Sequence, residues 1–412
     1  MRQHKLSTAC RGAGGSSFGR ASRMRLAIGA LAALFALAAI GVGAAAAQGD
    51  FYRPSAAEIP GPPGTIIRKA EMPFAPGYVT AYRVLYRSRG LNDEPIAVSG
   101  VVIAPTGAPP PGGRPVVAWA HPTTGVATRC APSRAMLLFQ QIQGLRELIG
   151  AGYVVAATDY PGLGGPGVHP YLVGDSEARA VIDNVRAARA ISELGASNAF
   201  AVWGHSQGGQ AALFTGLIAG SYAPELKLVG VAAAAPATEL GRLMSADLGT
   251  AGGRNLTAMT LWSWQRVFDA PMAKVVEPDA IPAVNRLAEA CIESIYDILV
   301  RRRLTKPLAQ EFLSVANPID VEPWRGLAAA NTPGPLPPEI PLFLAQGDAD
   351  RLVEPAVTRD YFARSCRAGV KAQYFEMPRA GHATAAHDAA HTAVAWIANR
   401  FADAPAPSDC RN

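Results

Sequence analysis

The chain has 412 residues, 49% of them hydrophobic and 17% charged, enough apolar material for one large core or a core with an inserted subdomain. Its formal net charge is +6, yet six of its 38 Lys and Arg residues and none of its 32 acidic residues lie in 1–47. The rest is formally neutral, so the charge is no footprint of a nucleic-acid or other anionic partner.

Residues 1–47 read as a secretory signal peptide. A basic segment ends at Arg25, an uncharged run covers Leu26 to Ala47, and Ala45-Ala46-Ala47 makes an A-x-A-type cleavage site before Gln48. Met24 is an alternative start. The run is also long enough to cross a bilayer, so an uncleaved membrane anchor is the rival reading. Its alanine- and glycine-rich second half favours cleavage, with a secreted or periplasmic product. Beyond it lie Cys130, Cys291, Cys366 and Cys410. Four cysteines in an exported chain predict two disulfides, with three connectivities open. No pair is spaced C-x-x-C, so no zinc or thioredoxin-like site is expected.

Residues 48–75 are rich in proline and glycine and read as an extended arm. Tyr78 to Arg87 and Pro95 to Ala104 predict two strands around the turn Gly90-Leu91-Asn92-Asp93. A buried strand, Pro115 to Ala120, ends at His121-Pro122-Thr123-Thr124-Gly125. Ser133 to Ile149 predicts a helix and Tyr153 to Thr158 a strand, followed by the loop Asp159-Tyr160-Pro161-Gly162-Leu163-Gly164-Gly165. Asp175 to Leu194 predicts an amphipathic helix. The apolar run Ala199 to Trp203 leads into Gly204-His205-Ser206-Gln207-Gly208, then a small-residue helix from Gln210 to Ala219 and a strand from Leu228 to Ala235. Such alternation implies an α/β fold with a mostly parallel sheet flanked by helices.

The alternation stops near Pro236. Residues 238–338 hold helical stretches, no clear strand and a proline-rich hinge from Thr332 to Pro338. Strands at Ile340 to Ala345 and Ala372 to Met377 then alternate with helices at Ala356 to Ala368 and Ala385 to Phe401. The expected organisation is a core over 76–237 and 339–403, an inserted helical cap over 238–338 and a tail over 404–412.

Strand, Gly204-His205-Ser206-Gln207-Gly208 and helix together form the pattern of a nucleophile elbow, which presents the Ser206 hydroxyl to a pocket. A serine needs a histidine base, and the base needs an acid that fixes its tautomer. On a parallel sheet the chain order is serine, acid, histidine. Asp350 follows a strand, with Leu352 and Val353 re-entering the core; Asp348 is its rival. His382 lies between the last strand and the last helix. His387 and His391 are rivals that read as helix-surface residues, because no third metal ligand accompanies them. His121 precedes the serine and reads as a loop-fixing residue. An oxyanion hole needs two N–H donors. Gln207 supplies one. Pro122 has no N–H, so Thr123 is the earliest second donor, with Thr124 and Gly125 as alternatives. Leu261-Trp262-Ser263-Trp264, Phe268, Met272 and Leu299 make the cap apolar and suit contact with a lipid interface. No nucleotide, flavin or metal motif is present, so no cofactor is expected. Asn255-Leu256-Thr257 is a glycosylation sequon.

Together these segments resemble the α/β-hydrolase fold and, more narrowly, the secretory lipase family, over roughly residues 75–402. The narrower marks are Cys130-Ala131-Pro132-Ser133 and Asp159-Tyr160-Pro161-Gly162-Leu163-Gly164. The resemblance implies a Ser206–His382–Asp350 triad and cleavage of carboxylic esters, as in a triacylglycerol lipase or carboxylesterase, through an acyl-serine. It also implies disulfides Cys130–Cys291 and Cys366–Cys410, and an apolar acyl tunnel beneath the cap. Pro122 stands where many lipases carry glycine, which leaves the second oxyanion donor open. A peptidase or acyltransferase, and a non-catalytic exported binding protein of the same fold, are the competing readings.

Overall fold

The computed structural model describes residues 51–292, 295–309 and 312–411. The leader over 1–47 lies outside the described residues.

The chain from Tyr52 onward is one compact unit built on a nine-stranded sheet. In chain order its strands are β1 (Ile66–Glu71), β2 (Val79–Arg89), β3 (Pro95–Pro105), β4 (Arg114–Ala120), β5 (Val154–Thr158), β6 (Ala196–His205), β7 (Lys227–Ala234), β8 (Leu342–Gly347) and β9 (Ala372–Met377). Their spatial order is β1-β2-β3-β5-β4-β6-β7-β8-β9. The pairs from β1 to β5 are antiparallel, and those from β5 through β4 to β9 are parallel.

The central strands are apolar on both sides because both faces are covered. From β4, Val117 and Trp119 enter one core and Val116, Ala118 and Ala120 the other. The first core packs under α2 (Leu145–Gly150) and α11 (Ala385–Phe401), the second under α3 (Gly174–Ala190), α4 (Gln207–Tyr222) and α10 (Pro355–Arg367).

Between β7 and β8 the chain forms α5 (Leu240–Asp247), α6 (Ala251–Phe268), α7 (Ile281–Ala288), α8 (Ile295–Leu304) and α9 (Trp324–Ala330). Among the described residues there, the extended pairing is one isolated bridge, Val276 to Leu313. Trp264 and Met272 point inward, and Trp264 stacks on Trp324 at 6.4 Å. Among the described residues the exposed large apolar side chains lie mostly outside this insertion, at Phe74, Tyr78, Met136, Leu137 and Val168, with Leu299 within it.

Three stretches depart from expectation. The arm over 48–75 contains β1, whose half-buried residues pair with the long β2. The helix expected from Ser133 to Ile149 is broken into a 3₁₀ turn at Pro132–Arg134, the single turn α1 (Leu138–Gln141) and α2, with Gly144 left-handed between the last two. The helix expected to reach Leu194 ends at Ala190, where a 3₁₀ turn and a left-handed Gly195 lead into β6.

Disulfides join Cys130 to Cys291 and Cys366 to Cys410. The first links the loop after β4 to the helical insertion. The second holds the tail beside β9, where Asp409 N–H donates to the Ala372 carbonyl and Tyr374 N–H to the Asp409 carboxylate. The edge of the sheet is thereby covered.

Candidate active site

β6 delivers Ser206 at its end, and α4 starts at the next residue. Ser206 has φ 57° and ψ −117°, a strained conformation that the surrounding structure must hold. The strain follows from close approach. A Cβ on Gly204 would lie 2.0 Å from the Gly208 carbonyl oxygen, and one on Gly208 would lie 1.9 Å from that of Ala120. Only glycine fits either position.

His382, beyond β9, places Nε2 2.9 Å from Ser206 Oγ and Nδ1 2.8 Å from Asp350 Oδ2. The carboxylate accepts from Nδ1–H, which leaves Nε2 to accept from the serine hydroxyl. Asp350, beyond β8, also accepts from the N–H groups of Leu352 and Val353, each at 2.9 Å, and from Gln346 Nε2 at 3.1 Å. Burial alone would raise its pKa. The bond from His382, the charge of that ring and the two N–H donors outweigh burial and hold it below the usual carboxylate value. Asp348 instead accepts from Arg379 N–H. His387 is exposed beside Asp388 at 3.1 Å. Among the described residues no three His, Cys, Asp or Glu side chains converge as a metal site.

Gln207 opens α4, so its N–H belongs to the unpaired positive end of a helix. Thr123 and Thr124 line the cavity at Ser206. The Thr124 hydroxyl is buried, with no hydrogen-bond partner among the described residues. Gly125 backs onto the Cys130 sulfur and is not among the residues lining that cavity. His121 lies between the Pro122 and Asp159 carbonyls and beneath the Tyr160 ring. Burial pushes its pKa down to about 4, so the ring is neutral and fixes the loop as a donor.

Three further residues gave no clear signal in sequence. His205 Nε2–H donates to the His382 carbonyl at 3.0 Å, and its ring lies 5.1 Å from that of His382. Its place beside the elbow serine was the available clue. Glu177 and His169 clamp Gln207: its Nε2 donates to Glu177 Oε1 at 2.7 Å and to His169 Nε2 at 3.0 Å. His169 Nδ1–H donates to the Pro161 carbonyl, which leaves Nε2 as acceptor. Glu177 Oε1 also accepts from Leu172 N–H. Burial raises the Glu177 carboxyl to about 8, so it is mostly protonated at neutral pH. The same loop reaches the other side of the site, where Tyr171 hydroxyl meets Thr123 Oγ1 at 2.8 Å. Ser263 and Trp264 of α6 bond the backbone of His169 and Tyr171.

Over residues 134–409 the chain matches the model of the family described as secretory lipase. The chain belongs to the secretory lipase family. A Mycobacterium tuberculosis protein named a probable inactive lipase is 26% identical over 86% of this chain and 82% of its own length. Lipase 6 of Candida albicans is 24% identical over 88% and 83%. Among solved structures, Candida antarctica lipase A in its closed state superposes with a TM-score of 0.72 at 19% identity, covering 86% of each chain. The rice cell wall degrading esterase LipA of Xanthomonas oryzae gives 0.68 at 20% identity, over 83% of this chain and 99% of its own. These superpositions share the α/β-hydrolase fold with this secretory lipase family member.

Proposed function

We propose that this chain is an exported serine hydrolase that cleaves carboxylic esters, of the lipase or carboxylesterase type. The observation that carries the reading is the hydrogen-bonded line Ser206 Oγ–His382 Nε2 and His382 Nδ1–Asp350 on a strained elbow. Ser206 attacks the ester carbonyl while its proton passes to His382 Nε2. Gln207 N–H and a donor from Thr123 or Thr124 meet the negative charge that develops on the carbonyl oxygen. Collapse breaks the bond to the alcohol, which leaves with the proton from Nε2. A water, deprotonated by the same nitrogen, then attacks the acyl-serine and frees the acid and Ser206. Asp350 holds the tautomer throughout.

One relative is named a probable inactive lipase. Occupation of all three positions within bonding distance supports activity here. The A-x-A leader, the two disulfides and membership of a secretory family support export. Among the described residues no helix is long and apolar enough to cross a membrane. The helices over 238–338 are read as a cap, because Leu240, Leu243 and Leu256 line a cavity with Ser206. A fluorophosphonate probe should label the purified protein on Ser206, and Ser206→Ala should abolish both labelling and ester hydrolysis. Ester hydrolysis retained by Ser206→Ala would falsify the reading.

A further inference from the structure

Ser206 lines two cavities of very different size. One measures about 380 Å³ and the other about 40 Å³. A third, of about 540 Å³, lies among Leu248, Arg254, Glu277 and Phe312 and does not include Ser206. The larger of the two at Ser206 contains His382 and Ala383 from the turn before the last helix, Ala386 from that helix, and Leu138, Gln141 and Ile142 from the α1 segment. The smaller contains Gln207 and is closed by Leu240, Leu243, Met244 and Leu256 of α5 and α6.

The chemistry assigns each cavity a half of the substrate, on the reading that the chain hydrolyses esters. The departing alkoxide takes its proton from His382 Nε2, so the alcohol lies on the side of His382. His382 lines the larger cavity and is not among the residues of the smaller one. The acyl group stays bonded to Ser206 and extends away from His382, past Gln207. The smaller cavity has little room for a chain. The larger cavity takes many times more, and Trp119, Leu138, Ile142 and Leu352 make its wall largely apolar.

We propose that the preferred ester joins a short acyl group to a bulky apolar alcohol. The enlarged side of this site is the alcohol side. A long fatty acyl chain has no matching space beside Met244 and Leu243.

Two substrate series on the purified mature protein test this, both with dissolved monomeric esters. The first runs ethyl esters from acetate to dodecanoate. The second compares butyrates of ethanol and 2-cyclohexylethanol, alcohols of similar acidity, so size is what changes. Each filled or overfilled pocket position is worth about tenfold or more in kcat/KM. We expect at least about a tenfold fall from butyrate to decanoate, and a rise of about tenfold from the ethyl to the cyclohexylethyl ester. Met244→Ala should move the acyl optimum to longer chains. Gln141→Trp should lower the ratio of cyclohexylethyl to ethyl turnover. Ratios within one preparation do not depend on the folded fraction, so partial misfolding does not mimic either result. An acyl optimum at decanoate or longer in the unaltered chain, or no preference for the larger alcohol, overturns the assignment. Turnover no greater than that of Ser206→Ala across both series overturns the hydrolase reading itself, and the assignment with it.

Discussion

Asp159 accepts hydrogen bonds from both the backbone N–H and the hydroxyl of Ser133, 26 residues earlier in the chain. Ser99 adds a third donor from β3, at 2.6 Å. The two family-specific segments, Cys130-Ala131-Pro132-Ser133 and Asp159-Tyr160-Pro161-Gly162-Leu163-Gly164, therefore meet at one buried carboxyl. They brace the loop after β5 against the loop after β4, which carries His121 and Thr123. Asp159→Ala should strand the buried Ser133 N–H and leave the Ser133 and Ser99 hydroxyls only Tyr52 Oη and the Leu163 carbonyl, and a stranded buried group costs about 1–3 kcal/mol. Urea unfolding should show a lowered midpoint, with a loss of at least about 1 kcal/mol. An unchanged midpoint would mean that the loops hold without the brace.

Asp350 is the fixed partner of His382, so Asp350→Asn should let the ring settle in the wrong tautomer. Loss of a triad acid by amide replacement lowers kcat by roughly 10⁴-fold. KM for a short ester should change far less, because Asp350 lies behind the histidine. Its folded pKa is depressed, so the stability it contributes is complete above the ordinary carboxylate range and fades as pH falls through the folded value. The melting temperature of the unaltered chain should therefore exceed that of the Asn variant most at neutral pH, with the gap narrowing on acidification. A gap that widens towards low pH would contradict this sign.

Much of the site is legible in sequence because of where its residues sit. Ser206 and Asp350 each follow a run of buried strand residues, His382 follows the mixed strand β9, and the parallel sheet brings those strand ends to one edge. β1 was missed because Ile66-Ile67-Arg68-Lys69-Ala70-Glu71 is a half-buried strand at the sheet edge, without a clean alternation. The break at Gly144 was missed because the apolar spacing of Leu138, Ile142, Leu145 and Ile149 continues across it. These residues share one core, but the backbone turns left-handed between them. Glu177 was missed for a different reason. A glutamate in the first turn of an amphipathic helix reads as a solvated charge near the helix N-terminus. Leu172 N–H is a local partner, but Gln207 lies at the elbow 30 residues on and only the fold brings it to Glu177.

Glu177 should matter through Gln207. Glu177→Ala frees the side chain next to the first oxyanion donor, and loss of one such donor costs roughly 10²–10³-fold in kcat. A smaller drop of about tenfold is expected here, with KM nearly unchanged, since the N–H is displaced and not removed. Glu177→Gln keeps an acceptor for Gln207 and Leu172 N–H and should restore most of kcat. The titratable groups around Glu177 are Tyr160 and Tyr171, with His169 on the other side of the shared Gln207 amide. Burial pushes the histidine down to about 3 and both tyrosines above their usual value, so none titrates between pH 5 and 9. The Glu177 carboxyl is raised to about 8 in the folded chain. Its stability contribution is therefore complete below the unfolded value and is lost as pH rises through about 8. Glu177→Gln should gain stability relative to the unaltered chain between pH 5 and pH 9. A constant difference in melting temperature across that range would refute the buried protonated state.

The two disulfides should separate function from stability. Cys130–Cys291 closes a span of 161 residues, and Cys366–Cys410 one of 44. Removing either should cost about 2–5 kcal/mol. Only the first lies beside the chemistry. Gly125 packs on the Cys130 sulfur, and Ile292 N–H donates to the Thr124 carbonyl at 2.7 Å, so this attachment sets the backbone of the oxyanion loop. Cys130→Ala with Cys291→Ala should lower kcat even at temperatures where circular dichroism shows a folded protein. Cys366→Ala with Cys410→Ala should leave kcat near its original value and act on the melting temperature alone, because Cys410 tethers a tail at the far edge strand β9. Equal loss of kcat in both double variants would show that the disulfides act only through global stability. It would also detach the Thr124 backbone from its assigned role in holding the oxyanion loop.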